Sequence, residues 1–250
     1  MLITFYADAE LATCSIQGRS HFIVLTKGTG RVPVKGNKGT KLTIFMIGGG
    51  GSSYQEGGGG SGFIKTFEYT LKEERTSFSF SVGFGGCNRD NNWNSVDEDG
   101  NPSAVFFSDK KFYAAGGKRG GMISDEGGDG WSGGGGDDGG IGGSNGGNGG
   151  SGQYGDRGGY GTYDYLPKMK FVELSAGKGG RGGSGYGLGY QYDGGGGGGV
   201  LVNGNGPQIR RDTYNHESGQ GYGAGGTYGY DGGSQECGTD GLIVVEIKKC

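Results

Sequence analysis

Proline, histidine and long apolar runs are scarce in this chain of 250 residues, which contains only 4 proline and 2 histidine residues. The low proline content beside 68 glycine residues excludes a collagen triple helix, which combines abundant proline with one glycine in every three residues. No run of 18 apolar residues occurs, so no segment is predicted to span a membrane as a helix. The first residues also lack the basic start and the small-residue cleavage site of a signal peptide.

Sequence motifs for catalysis and cofactor binding are missing as well. GxGxxG-like strings recur, but none lies between a predicted strand and a predicted helix, and the phosphate-binding pattern GxxxxGKS/T does not occur. No serine or cysteine is set in a nucleophile motif, and neither His21 nor His216 has a recognisable catalytic partner. We therefore predict a protein that is not an enzyme and has no cofactor.

One cluster of acidic residues raises the question of a metal site. The stretch 125–138 contains four aspartates and one glutamate, and hard cations such as calcium prefer oxygen ligands. Neither an EF-hand loop nor the calcium-binding nonapeptide repeat is in register there. Solvated acidic tips on glycine loops are therefore the favoured interpretation. The alternative cation ligands are Asp125, Asp129, Asp137 and Asp138.

The four cysteines are scattered along the chain, at Cys14, Cys87, Cys237 and Cys250. They form no CxxC pair, and only two histidines could join them, so a zinc site is disfavoured. An even number of scattered cysteines predicts disulfides in an oxidising compartment, which points to an extracellular or particle-surface location. Three pairings are open at this stage.

Apolar stretches of strand length predict an all-β framework. The run TSFSFSV alternates polar and apolar residues with period two, as a half-buried strand does. No segment has helical periodicity over ten residues. Strands are predicted over 21–28, 41–49, 62–71, 76–85, 103–117 as a hairpin, 168–177 and 241–250.

The strands and the glycine tracts suggest four regions. Residues 1–20 form an N-terminal extension, and residues 21–115 contain sandwich strands with glycine-rich turns. Residues 116–233 contain the glycine tracts, with a strand interposed near 168–177, and residues 234–250 form the closing strand and end in cysteine.

The spacing of glycine in the middle of the chain is periodic. GGIGGSNGGNGGSG, over 139–152, consists of GGx triplets with one slip at Asn145, and 176–185 repeats the pattern with Lys178, Arg181 and Ser184 at every third position. An extended left-handed helix with three residues per turn would place every such side chain on one face. The bare faces would let neighbouring backbones exchange hydrogen bonds. We therefore predict a bundle of polyglycine II-type helices, because a flexible linker needs no triplet register.

Tyrosine is concentrated in the same region, with eleven of fifteen tyrosines between residues 154 and 230. These rings either cover bare backbone at the rim of the glycine helices or form contact surfaces between subunits or toward a ligand. Stacking on nucleic acid is disfavoured by the net charge of −3 and the absence of an RNA-binding motif. The interaction candidates are Tyr154, Tyr160, Tyr186, Tyr190, Tyr222 and Tyr228.

The order of the strands and glycine runs resembles a known family. KLTIFMIGGGG, SFSVGFGG, FYAAGG, GGGGGGVLV and DGLIVVEI follow one another as in the glycine-rich domains of leukocyte and anaplastic lymphoma receptor tyrosine kinases and of bacterial, phage and protist surface proteins. The resemblance covers about 22–247. It implies a jelly-roll-like β-sandwich with an inserted bundle of polyglycine helices. It does not imply receptor signalling, because the chain contains no kinase.

Two functional hypotheses follow from these observations. The first is an extracellular structural protein that self-associates into a filament, appendage or matrix through β-strand and Tyr/Gly-rich contacts. Its apolar N-terminal segment, 1–14, either donates a strand to the next subunit or is the first strand of its own sandwich. The alternative is a recognition module, such as a phage-type fibre adhesin or an ectodomain, that binds a surface receptor or a glycan. Neither hypothesis includes nucleic-acid binding or membrane insertion.

Overall fold

The computed structural model of the protein describes residues 5–6, 21–53, 58–87, 99–120, 130, 166–169, 172–177, 195–207, 219–229, 234–235 and 237–248. These residues form thirteen β-strands and no helix, which confirms the all-β prediction for the described part of the chain. The strands are β1 (Phe5–Tyr6), β2 (His21–Leu25), β3 (Thr29–Lys35), β4 (Lys41–Ile47), β5 (Ile64–Thr70), β6 (Arg75–Ser81), β7 (Ser103–Phe106), β8 (Lys111–Ala114), β9 (Leu174–Ala176), β10 (Val200–Val202), β11 (Tyr228–Gly229), β12 (Ser234–Gln235) and β13 (Leu242–Lys248).

The larger sheet has five strands in the order β1-β2-β13-β4-β5. The last strand of the chain, β13, lies antiparallel between β2 and β4, so the sheet is complete only when the C-terminal strand is in place. Strand β1 pairs in parallel with β2 of the same chain, with Phe5 opposite Val24. It forms the outer strand of this sheet.

The second sheet is antiparallel and has four strands in the order β3-β6-β7-β8. The alternation predicted for β6 is present, because Phe78 and Phe80 are buried and Ser79 between them is exposed. Strand β3 is an addition to the sequence prediction. Its Gly30 and Pro33 are residue types depleted in strands, and Pro33 is accommodated because β3 lies at the edge of the sheet.

The two sheets share one hydrophobic core, an arrangement consistent with a β-sandwich. Leu42, Ile44 and Met46 of β4 belong to the same buried cluster as Phe78 and Val105 of the four-stranded sheet. Burial of large apolar side chains contributes about 1.5–3 kcal/mol each, so this cluster is a major source of stability.

A second core covers the opposite face of the five-stranded sheet. Phe45 and Ile47 of β4 and Val244 of β13 pack there with Val200 and Val202 of β10. Strand β10 pairs antiparallel with β9, and the short β11 pairs with β12. Strands β4 and β13 are therefore buried on both faces, which explains why their sequences are nearly continuous apolar runs without alternation.

Candidate functional site

Strand register brings the glycine-rich parts of the described chain together at one end of the sheets. In the larger sheet, Ile47 lies opposite both Leu242 and Ile64, so three strand ends are level. In the other sheet, β6 ends at Ser81 beside the start of β7, and β8 ends beside that start as well. Glycine-rich segments adjoin these strand ends and lie next to one another. Together with two further segments they form what we call the glycine layer: residues 48–53, 58–63, 82–87, 99–102, 115–120, 195–199, 219–227 and 237–241.

The segment 48–53 lies at the centre of the glycine layer and donates its N–H groups in several directions. Gly48 donates to the carbonyl of Phe63 at 3.2 Å, and Gly51 donates to Gly60 at 2.8 Å. The two residues between them use other neighbours. Gly49 donates to Asn101 at 2.9 Å, and Gly50 donates to Thr239 at 3.0 Å.

The carbonyl groups of the same segment accept from three further segments. Gly117 donates to Gly49 and Gly120 donates to Ser52, at 2.8 and 3.0 Å. Gly86 donates to the Gly50 carbonyl at 2.8 Å, and Gly226 donates to the Gly51 carbonyl at 2.9 Å. Segment 48–53 therefore bonds to six neighbouring segments. A β-strand bonds only to the two strands beside it, so this network is not a sheet.

Glycine is required in the glycine layer because backbones contact each other directly. A Cβ atom built on Gly48, Gly49, Gly50 or Gly51 would approach a backbone carbonyl of another segment more closely than 3.0 Å, a separation that real Cβ atoms essentially never show. The whole segment 48–53 is buried. Buried main-chain polar groups need partners, and here other main-chain groups supply them.

Hydroxyl side chains complete the network where no backbone group reaches. The fully buried Ser103 Oγ accepts from the Gly83 N–H at 2.9 Å and donates to the Ile47 carbonyl at 2.7 Å. Thr239 Oγ1 accepts from the Ala224 N–H at 2.7 Å. Ser103 therefore joins the ends of the two sheets to the glycine layer, and Thr239 joins two segments within it.

One disulfide lies within the glycine layer. Cys87 and Cys237 are bonded, with their Cα atoms 4.4 Å apart and a sequence separation of 150. The adjacent Gly238 N–H donates to the Gly86 carbonyl at 2.9 Å. This bond fits the prediction of disulfides, settles the pairing of two cysteines and is compatible with an oxidising extracellular environment.

A polar cluster closes the opposite end of the sheets. The Tyr69 hydroxyl donates to Asp109 Oδ1 at 2.8 Å, and Lys72 Nζ lies 2.6 Å from Asp109 Oδ2. Burial, with a further contribution from the bond to Asp109, raises the pKa of Tyr69 to about 12. The hydrogen bond from Lys72 is the main cause that lowers the pKa of Asp109. The Tyr69 ring stacks on Phe107 with centroids 3.8 Å apart, so the cluster ties two turns together.

The candidate tyrosines fall mainly outside the described residues. Tyr222 exchanges two backbone hydrogen bonds with Val200, at 2.8 and 2.9 Å, and its half-buried side chain packs against the second core. Burial raises the pKa of Tyr222. Tyr228 pairs with Gln235 through β11 and β12. The other four, Tyr154, Tyr160, Tyr186 and Tyr190, lie outside the described residues.

The remaining candidate residues also lie outside the described part of the chain. They are Asp125, Asp129, Asp137, Asp138, Cys14 and Cys250, together with the triplets at 139–152. Within the described ranges, no group of three histidine, cysteine, aspartate or glutamate side chains could hold a metal ion. The same ranges contain no helix long and apolar enough to cross a membrane.

The sequence predicts glycine-rich turns at 50–53 and 58–61, between strands at 41–49 and 62–71, whereas the structure places these turns and the adjoining residues 48–49 and 62–63 in the glycine layer. The sequence signal that could have predicted this burial is the position of the two glycine runs, one directly after a buried strand and the other directly before the next strand.

Comparison with protein-family models finds no match for this chain, and a search of the curated proteins finds none either. The resemblance to glycine-rich domains therefore depends on the order of the strands and glycine runs.

Proposed function

We propose that the glycine layer is a bundle of polyglycine II-type left-handed helices attached to one end of a jelly-roll-like sandwich. The support is a three-residue period in the hydrogen bonds of segment 48–53. Gly48 and Gly51 are three residues apart and both donate to segment 58–63. Gly49 and Ser52 are also three residues apart, and both accept from segment 115–120. An extended left-handed helix repeats its direction every three residues.

The number of neighbours agrees with the same geometry. One turn of such a helix presents three N–H groups and three carbonyl groups, pointing in six directions around the axis. Segment 48–53 has six bonded neighbours, one for each direction. A rod surrounded by six others is the arrangement expected in a close-packed bundle, and only glycine lets the rods approach that closely.

On this basis we infer a non-catalytic, extracellular structural protein that self-associates as the subunit of a filament, appendage or matrix. The observation that carries the inference is the glycine layer, which is stabilised by main-chain bonds that any glycine-rich segment can make. A segment at the rim of such a bundle has donors and acceptors that face outward, as an edge strand does. A Tyr/Gly-rich segment of a second copy can add there. The disulfide supports an extracellular location.

The N-terminal strand offers a second means of association. Phe5–Tyr6 pairs with β2 of its own chain, at the outer edge of the five-stranded sheet. Exchange of this strand between copies would keep the same pairing and link subunits without a new interface.

The test is the assembly state of the full chain and of a variant that lacks residues 1–13. We expect the purified full chain to form regular filaments in negative-stain micrographs. If strand exchange is required for assembly, the truncated variant should elute as a folded monomer slightly smaller than the 25.6 kDa chain, with its β-sheet content checked by circular dichroism. Filaments that persist after truncation would reject strand exchange and leave association through the glycine layer. A monodisperse full-length monomer at every concentration would contradict self-assembly and favour the recognition module.

A further inference from the structure

The outer face of the four-stranded sheet has a composition that differs from the rest of the protein. Along each strand the residues that alternate with the buried ones point away from the shared core. Cross-strand register arranges these outward residues in rows. One row is Arg31, Ser79, Phe106 and Lys111, and the next is Thr29, Ser81, Ala104 and Tyr113. We call these two rows, with the adjacent Ser77, the basic face.

The basic face has small residues along β6 and long side chains on both edge strands, and we call the strip between the edge strands the trough. Its β6 positions are the small residues Ser77, Ser79 and Ser81. The edge strands carry long side chains, Arg31 on one side and Lys111 on the other. Because neighbouring strands are about 4.8 Å apart, the backbones of these two residues lie roughly 14 Å apart.

The side chains of the basic face combine positive charge, hydroxyl groups and an exposed ring. Arg31 Nε donates to Ser77 Oγ at 2.6 Å, which orients the guanidinium group over the trough. Lys111 Nζ lies 4.9 Å from the centroid of the Phe106 ring. The Tyr113 side chain is 62% exposed. Among the described residues no acidic side chain belongs to this face, although the whole chain has a net charge of −3.

We infer that the basic face binds an anionic polysaccharide, a chain of sugars with carboxylate or sulfate groups. Arg31 and Lys111 are placed to pair with two acidic groups of one extended chain, and guanidinium groups recognise such oxyanions through paired hydrogen bonds. The serine hydroxyls match sugar hydroxyls, and the Tyr113 ring offers an apolar surface to a sugar ring. The inference is independent of self-assembly.

Nucleic acid fits the basic face less well than a charged polysaccharide. Binding of single strands uses several aromatic rings on which successive bases stack. Here Tyr113 is the exposed aromatic ring, because Phe106 is half-buried beneath Lys111.

The test measures binding of the full chain to immobilised alginate and dextran sulfate, with uncharged dextran and poly(dT) as comparisons. The variant pair Arg31→Ser/Lys111→Ser removes both cations of the trough. The matched control, Lys38→Ser/Lys65→Ser, removes two exposed positive charges located elsewhere. Tyr113→Ala tests the ring. All proteins are compared at one salt concentration and as monomeric fractions, so that assembly is read out separately.

We expect binding to at least one of the two polyanions and no binding to dextran. Arg31→Ser/Lys111→Ser should weaken binding about tenfold or more, Tyr113→Ala should weaken it severalfold, and the control pair should change it less than about twofold. Three results would overturn the inference: no binding to either polyanion, equal losses in the control pair, or tighter binding to poly(dT). Unfolding curves of each variant serve as a control for folding. We expect them to match the wild-type curve, because the substituted side chains lie on the outer face of the sheet and not in the core.

Discussion

Replacing Gly50 by alanine measures how much stability depends on direct backbone contact in the glycine layer. The φ angle of Gly50 lies outside the left-handed region, so alanine can adopt this backbone conformation without strain. The obstacle is the space around it. The new Cβ would lie closer than 3.0 Å to both the oxygen and the carbon of the Ala224 carbonyl. These are backbone atoms, so they cannot move aside as the end of a flexible side chain could. The two segments would have to separate by about 1 Å to relieve the clash.

That separation determines the size of the expected effect. The bond that joins these two segments directly, from the Gly226 N–H to the Gly51 carbonyl at 2.9 Å, would break or weaken, and displacing Gly50 would also weaken its bond to Thr239 at 3.0 Å. Each buried group left unpaired costs about 1–3 kcal/mol, and overpacking adds about 1–3 kcal/mol. Alanine also restricts the unfolded chain, which returns about 0.4–1 kcal/mol. The free energy of unfolding should fall by about 2–9 kcal/mol, a large share of the total for a typical domain.

The assay is guanidinium unfolding under oxidising conditions, followed by circular dichroism and tryptophan fluorescence. The control is Gly204→Ala, where φ is 73° and, beyond the adjoining residues, no atom of the described part of the chain lies within 4 Å of the added Cβ. Backbone strain alone should cost that variant about 1–2 kcal/mol. If Gly50→Ala loses no more stability than Gly204→Ala, direct backbone packing is not what holds the glycine layer together.

Three further perturbations test the connections around the glycine layer and at the opposite end of the sheets. Replacing Cys87 and Cys237 by serine opens a loop of 150 residues, which in the chain-entropy treatment removes up to about 5 kcal/mol. The variant should unfold at a lower denaturant concentration than the oxidised wild-type protein and at the same concentration as the reduced wild-type protein. A variant midpoint equal to that of the oxidised wild type would refute the expectation. Ser103→Ala leaves a buried N–H without its acceptor and should cost about 1–3 kcal/mol, whereas the exposed Ser79→Ala should change stability by less than about 0.5 kcal/mol. Because the folded-state pKa of Tyr69 is raised to about 12, the stabilisation from its neutral form is present below pH 10 and is lost between pH 10 and 12. Tyr69→Phe should flatten that part of the stability profile measured by denaturant titration, and an unchanged slope would argue against the assignment.

Local sequence patterns were sufficient for most of the strands. Phe78 and Phe80 alternate with serine, so β6 could be recognised from its own residues. Strands β4 and β13 are apolar runs whose length and β-branched content also point to strands. Strand β3 could not be found in this way, because Gly30 and Pro33 disfavour a strand locally. They are tolerated because β3 is an edge strand that pairs only with β6.

The cysteine pair illustrates a different limit. Four cysteines allow three pairings, and spacing along the chain does not choose among them. Cys87 and Cys237 meet because β13 inserts between β2 and β4, and this brings the segment before β13 beside the segment after β6. Strand order over the whole chain therefore determined the pairing.

The glycine content by itself determined what kind of contact these segments can make. Without a Cβ atom, backbones can approach to hydrogen-bonding distance on every side, and this property is present in the sequence of 48–51 and 58–60. Which segments become neighbours was decided by the tertiary structure. Gly49 bonds to Asn101 and Gly117 because packing of the two sheets over their shared core places the end of β4 near the start of β7 and the end of β8. Glycine segments carry no side chains that could select a partner, so the strands to which they are joined select it for them.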